Sequence, residues 1–276
     1  MARVRVGTSG WRYPPWRKAF YPAGLAQRRE LEYLSRRVSS IEINGSFYAL
    51  QRPENYRSWA AEAPDDFVFA VKGGRFITHL KQLREVEAPL ANFFASGVLA
   101  LGPKLGPILW QLPPRMRFDA ERLAAFLALL PCTTAAAAWL ATRHDERLDG
   151  RALTETDADR PLRHALEVRH ESFRDAALLE LLRAHDIALV VADSAGTWPY
   201  FEEDTAGFRY VRLHGADELY ASGYTDEALD GWAAKVRGWL ADGQDAFVYF
   251  DNDAKVHAPR DAIGLLARLS ADDQAR

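Results

Sequence analysis

Glu42, Lys72, Glu167, Arg169, Arg212 and His214 are the residues of this sequence whose types and placement best suit chemistry. Each sits in a short run that alternates apolar and polar: SIEIN (40–44), FVFAVK (67–72), ALEVRH (165–170) and YVRLH (210–214). Side chains of a strand alternate faces, so Ser40, Glu42 and Asn44 share the face opposite Ile41 and Ile43. By the same parity Lys72, Glu167 with Arg169, and Arg212 with His214 leave the apolar faces of their strands. Two carboxylates, an amine and an imidazole can move protons, with Glu42 or Glu167 as base and His214 or Lys72 as acid. Asn44, Gln111, Arg169, His170, Asp193, Arg212, Asn252 and Asp253, at or just past strand ends, are expected to bind substrate, the arginines gripping anionic groups.

Other chemistries compete for the same residues. Glu42, Glu167, Asp193, His214 and Asp253 could ligate a divalent metal. Lys72, Arg169 and Arg212 on the same faces would neutralise those carboxylates, so a metal-free site is preferred and the cofactor is left open. Two carboxylates also suit glycoside cleavage, which depends on their separation. Ser9 lacks a Gly-x-Ser-x-Gly elbow and is expected to cap a turn, and His79 in FITHL to fix a loop. A purely structural ion network is the plain alternative. Burying several charges costs several kcal/mol per ion unless they are well paired, and a functional pocket accounts for that cost better than stability does.

The elements that must position these residues are strands alternating with helices. Strands are expected over 3–7, 38–44, 67–72, 107–112, 164–170, 187–193, 208–215 and 246–253. Helices are expected over 26–37, 119–130, 175–185, 225–241 and 260–269, from their apolar spacing and, at Asp119, a cap. Eight strands, most followed by a helix, predict a single (β/α)8 TIM-like barrel over 1–276. Neither a Gly-x-Gly-x-x-Gly turn nor a Gly-Lys-Ser/Thr loop supports a nucleotide-binding open sheet. The segment 132–163, Ala-rich and then charged, predicts a helical or loop insertion before strand five, on the N-terminal face. In a barrel the polar parity set points inward near the C-terminal mouth, the usual catalytic face.

Aromatic loops crowd that mouth. GTSGWRYPPWRKAFYP (7–22) carries Trp11, Tyr13 and Trp16 where the prolines forbid a regular helix. Tyr48 follows the second strand, and Tyr220 and Tyr224 the seventh. Trp11 and Trp16 either plug the barrel top or stack on a sugar or base, and the stacking role is the sharper expectation.

A formal net charge of -3 gives no footprint for bulk nucleic acid or anionic lipid. The single cysteine, Cys132, fits a reducing compartment. MARVRVG enters a strand without an apolar leader and no run is long enough to span a bilayer, so a cytoplasmic protein without membrane partners is expected. Oligomeric state is left open.

The motifs VGTSGWRYPPWRKAFYP, IEINGSFYALQRPENYRSWAAEAPDDFVFAVKGGRFITHLKQL, KLGPILWQLPPRMRFD, LEVRHESF, YVRLHGADELYASGYTDEALDGWA and YFDNDAKVHAPRDA run in order along nearly the whole chain, apart from 132–163. Together they resemble the YecE-like family, domain of unknown function 72. The resemblance implies a TIM-barrel-like fold and no particular reaction. Many relatives have Phe-Asn-Asn-Asp where this chain has Phe-Asp-Asn-Asp, which adds a charge at Asp251. The expected function is an enzyme acting on a polar, phosphorylated or carbohydrate-like small molecule. The alternatives are a nucleic-acid-binding or lesion-processing protein and a non-catalytic binding module, and the net charge favours the enzyme.

Overall fold

The computed structural model describes residues 2–271. Its strands are β1 (Val4–Ser9), β2 (Ser40–Ile43), β3 (Val68–Lys72), β4 (Leu105–Gln111), β5 (His164–Glu167), β6 (Ile187–Leu189), β7 (Val191–Asp193), β8 (Phe208–Leu213) and β9 (Asp245–Phe250). All neighbouring pairs are parallel, in the order β6-β5-β4-β3-β2-β1-β9-β8-β7. β6 and β7 are the two halves of one expected strand, 187–193. One half pairs with β5 and the other with β8, so the two ends of the sheet meet around Val190. The result is a nearly closed TIM-like barrel.

Helices fill the crossovers: α1 (Glu30–Ser35), α2 (Gly45–Tyr48), α3 (Pro53–Glu62), α4 (Glu87–Ala95), α5 (Ala120–Leu127), α6 (Thr134–Ala141), α7 (Ala176–Ala184), α8 (Asp226–Ala241) and α9 (Ala258–Ala271). Side-chain caps at Asp119, Thr133, Asp175 and Thr225 satisfy orphan N–H groups at four helix starts. None of these helices is long and apolar enough to cross a membrane. Segment 132–163 is helical over α6, which buries Ala137, Ala138 and Ala141. The segment then runs along the barrel flank, where Leu153 N–H donates to the Ala95 carbonyl and Asp145 N–H to Asn92 Oδ1.

Packing follows strand parity. Ile41, Ile43, Phe69, Val71, Leu166, Val211 and Leu213 join the core between sheet and helices. A separate apolar cluster fills the lower barrel, with Ala70, Leu109, Ala165, Phe208, Tyr210, Phe247 and Tyr249. Each of these strands then places its next inward residue, two positions on, in the layer above. Gly73 ends β3 where a Cβ would lie 2.3 Å from the Trp110 ring, so only glycine lets the chain turn off the barrel there.

Candidate active site at the barrel mouth

Arg212 is the hub of the inward layer. Its guanidinium donates from Nε to Glu42 Oε2 (3.2 Å), from Nη1 to Glu167 Oε2 (2.7 Å) and from Nη2 to Glu42 Oε1 (2.9 Å). Nη2 also donates to Asp251 Oδ2 (2.9 Å) and Ser9 Oγ (3.2 Å). Burial alone would favour a neutral Arg212, but Glu42, Asp251 and Glu167 outweigh it and keep the guanidinium firmly charged. The carboxylates are anchored from other sides too. Glu42 accepts hydrogen bonds from Ser9 Oγ (2.6 Å) and Tyr210 OH (2.6 Å), and Glu167 accepts one from Arg169 Nε (2.6 Å).

The environment separates groups of the same type. Burial pushes the Glu167 carboxyl up, yet Arg169 and Arg212 together hold it well below the usual range. Asp251 behaves alike: burial raises it, but Arg212 and His214 bring it down to about 2. Asp253 has no such partner, and burial and then the neighbouring Asp251 charge raise it to about 6. Lys72 is lowered to about 8, first by burial and then by Arg212. His214 is lowered by burial, and its Nδ1 lies 3.0 Å from Asp251 Oδ2 without the alignment of a hydrogen bond.

The expected residues therefore fall into layers. Glu42, Glu167, Arg212 and His214 converge but have no accessible surface. Arg212 was expected to grip an anionic substrate; instead it is sealed beneath the acids with its donors already engaged. Lys72, Gln111, Arg169 and Asp253 lie above this layer and keep some exposure, as does Asp251. Trp198 and Tyr220 close over His214 edge-on, and the Arg169 guanidinium stacks 3.6 Å from the Trp198 ring centroid.

Four expected residues are drawn into structural bonds. Asn252 is fully buried and donates to Asp261 Oδ2 and the Ser222 carbonyl. Tyr224 OH donates to Asp193 Oδ2 (3.0 Å), tying the ends of β7 and β8. His170 Nδ1 accepts from Ser172 N–H, capping a short turn. Trp16, expected at the rim as a stacking surface, is fully buried among Tyr13, Phe20 and Tyr21, and its Nε1 donates to the Asp253 carbonyl. Ser9 Oγ donates to Glu42 and accepts from Arg212, and at 1% exposure it is sealed in the same buried layer. Among the described residues no group of three His, Cys, Asp or Glu side chains could hold a metal ion. The space between Glu42, Glu167 and Asp251 is filled by the Arg212 guanidinium.

Asp251 and His79 were not among the expected site residues. Asp251 could have been found by continuing the Phe247, Tyr249 alternation by one step. His79 had no such signal, because it lies on an irregular π-helical turn, Phe76–Leu80.

Trp11, Tyr13, Asn44 and Tyr48 line a cleft of 330 Å³ beside the mouth, together with Gln51 and Trp59. Trp11 Nε1 and Asn44 Oδ1 are buried atoms without a hydrogen-bond partner. Tyr13 joins this cleft to the mouth, since it lines the cleft while its hydroxyl donates to the Ser9 carbonyl and feels the Asp251 and Asp253 charges.

A family model described as "Protein of unknown function DUF72" matches residues 5–276. UPF0759 protein YecE of Escherichia coli K12 is 30% identical over 131 residues, 46% of this chain and 44% of the relative. UPF0759 protein YunF of Bacillus subtilis is 27% identical over 126 residues, 44% of each chain. The matches thus span less than half the length of these relatives. A crystal structure of a DUF72 family protein from Thermotoga maritima superposes with a TM-score of 0.78 at 23% identity, covering 97% of this chain and 99% of the other. One from Enterococcus faecalis gives 0.70 at 15% identity, covering 98% of both. These likenesses show the barrel fold.

Proposed function

This chain belongs to the DUF72 family, and we propose that its barrel mouth and adjoining cleft form an enzyme site for a hydroxylated, carbohydrate-like small molecule. The observation that carries this reading is the unpaired indole N–H of Trp11 and the unpaired amide oxygen of Asn44, both on residues lining one aromatic cleft. Leaving a buried donor or acceptor unmatched costs about 1–3 kcal/mol each. Both atoms lie just beneath the cleft surface. A ligand that recovers that cost must therefore part the Trp11 and Asn44 side chains and present an acceptor and a donor on an apolar ring, as a sugar does. A phosphorylated ligand is disfavoured because Arg212 and Arg169 already serve carboxylates. The same matching of charge weighs against a phosphate backbone.

The chemistry is acid–base. Lys72 and Asp253 border the mouth, and both change protonation within about two units of neutrality. Glu42, Glu167, Arg212 and His214 act as positioning residues that fix the field around them, since none reaches solvent.

The test is a thermal-shift and calorimetric screen of monosaccharides, disaccharides, polyols and their phosphates. Trp11→Phe removes the indole N–H together with the five-membered ring while keeping an aromatic face, and Asn44→Leu removes the amide. Each should weaken the best hydroxylated ligand about tenfold, the equivalent of one hydrogen bond. A screen in which only phosphates bind, or a sugar that binds both variants as well as the parent, defeats the proposal.

A further inference from the structure

We infer that Lys72 is an imine-forming lysine, its amine adding to the carbonyl carbon of an aldehyde or ketone form of the substrate. The inference rests on reading the mouth as an enzyme site and narrows the substrate to one that bears a carbonyl.

The chain has six lysines. Lys81, Lys104, Lys235 and Lys255 each donate hydrogen bonds to a carboxylate or to backbone carbonyls. Lys18 is exposed to solvent. Lys72 differs from all of these: it is 8% exposed, and among the described residues its Nζ makes no hydrogen bond. Three carboxylates face it, Glu42 from β2, Glu167 from β5 and Asp251 past β9, but all three are held by Arg212 of β8. Nζ rests instead over the Phe47 ring, 4.5 Å from its centroid. The ring face offers the ammonium a cation–π contact but no hydrogen-bond acceptor, and burial outweighs it, so the neutral amine is favoured more than at an exposed lysine.

The base packs against the same ring, with its Nδ1 bonded to Thr78 Oγ1 and its Nε2 left for proton transfer. His79 sets its ring edge-on to the same Phe47, 5.1 Å between centroids, from the π-helical turn that follows β3. Such turns are uncommon and are frequent at functional sites. Burial and then the Lys72, Arg169 and Arg115 charges lower His79 to about 4, so it is a neutral proton acceptor at pH 7. The lone pair of the neutral Lys72 amine forms the C–N bond while the carbonyl π pair moves to oxygen. His79 takes the proton from nitrogen and returns it to that oxygen. The nitrogen lone pair then expels the hydroxyl, which leaves as water with one further proton from the mouth, and an iminium remains. Amine, carbonyl and that one proton give iminium and water, with no oxidant or reductant.

The full-length protein is incubated with glycolaldehyde, glyceraldehyde or glyoxylate plus cyanoborohydride, and the adducts are located by peptide mass spectrometry. Near neutrality a lysine titrating at about 8 holds roughly two hundred times more neutral amine than one at 10.5. After allowance for its burial, Lys72 should label at least about tenfold faster than Lys18, with a rate that levels off above about pH 8. His79→Gln should slow Lys72 labelling severalfold and leave Lys18 labelling unchanged. Labelling that follows exposure, with Lys18 first and Lys72 unmodified, overturns the inference. If that occurs while the Trp11 and Asn44 variants still lose sugar binding, the imine falls and the site reading stands. If Lys72 labels rapidly but no sugar binds, the amine chemistry stands and the substrate class falls.

Discussion

Replacing Lys72 by methionine should make the protein more stable at neutral pH. The Lys72 amine titrates at about 8 in the fold against 10.5 for an ordinary lysine, mainly because burial disfavours its charge. That difference of roughly 2.5 units corresponds to about 3 kcal/mol by which protonated Lys72 opposes folding. The sign follows from which state binds the proton more tightly. Below about pH 8 both states are protonated and the full cost is present. Between about 8 and 10.5 the folded amine is neutral while the unfolded one is still charged, so the cost shrinks as pH rises. Above the unfolded pKa it is gone. Methionine keeps an unbranched apolar stem over Phe47 and carries no charge. Lys72→Met should therefore gain about 2–3 kcal/mol at pH 7, a rise of roughly 4–12 °C in melting temperature for a chain of this size. The gain should fade as pH approaches 10.5, and turnover should be lost. Urea and thermal melts of both proteins across that range give the answer. A variant that melts at or below the parent at pH 7, or one whose gain does not depend on pH, would refute the claim that burial of Lys72 without a hydrogen-bond acceptor opposes folding.

Arg212→Met should cost about 3–5 kcal/mol, because Glu42, Glu167 and Asp251 are then left buried without their shared cation; an unchanged denaturation midpoint would show that the guanidinium does not hold them. Asp253→Asn should stabilise the protein by about 1–2 kcal/mol at pH 7–8, the shift to about 6 being discounted for the partial exposure of this carboxyl. A raised carboxyl pKa opposes folding only where the unfolded acid is ionised, so that gain should shrink as pH falls below about 6 and vanish below about pH 3, and a gain persisting there would contradict the assigned cause. Trp16→Ala should cost about 3–5 kcal/mol by emptying a fully buried site, and wild-type melting of that variant would remove Trp16 from the core.

The barrel and its inward layer were legible because strand parity is local. An apolar residue at every second position of SIEIN, ALEVRH or YVRLH fixes which face meets the helices, whatever lies elsewhere in the chain. Glu42, Lys72, Glu167, Arg169, Arg212 and His214 therefore had to share the barrel interior once the strands closed. The short helices were less legible. α3 and α4 begin at Pro53 and Glu87 without a clear apolar stripe, and their burial comes from neighbours distant in the sequence.

Who pairs with whom was beyond any local pattern. Arg212 meets Glu42 across 170 residues of chain and Glu167 across 45, and its guanidinium could have bonded either one or neither. Only the closed barrel brings three carboxylates to one cation, and that choice leaves Lys72 without an acceptor. Tryptophan shows the same limit. Trp11 and Trp16 stand five residues apart in one loop, yet one lines a cleft with its N–H unpaired while the other is fully buried with its N–H donating to the Asp253 carbonyl. Sequence determines which face a side chain takes, because that depends on its own backbone. Partners and protonation follow from distances between strands that meet only when the barrel closes.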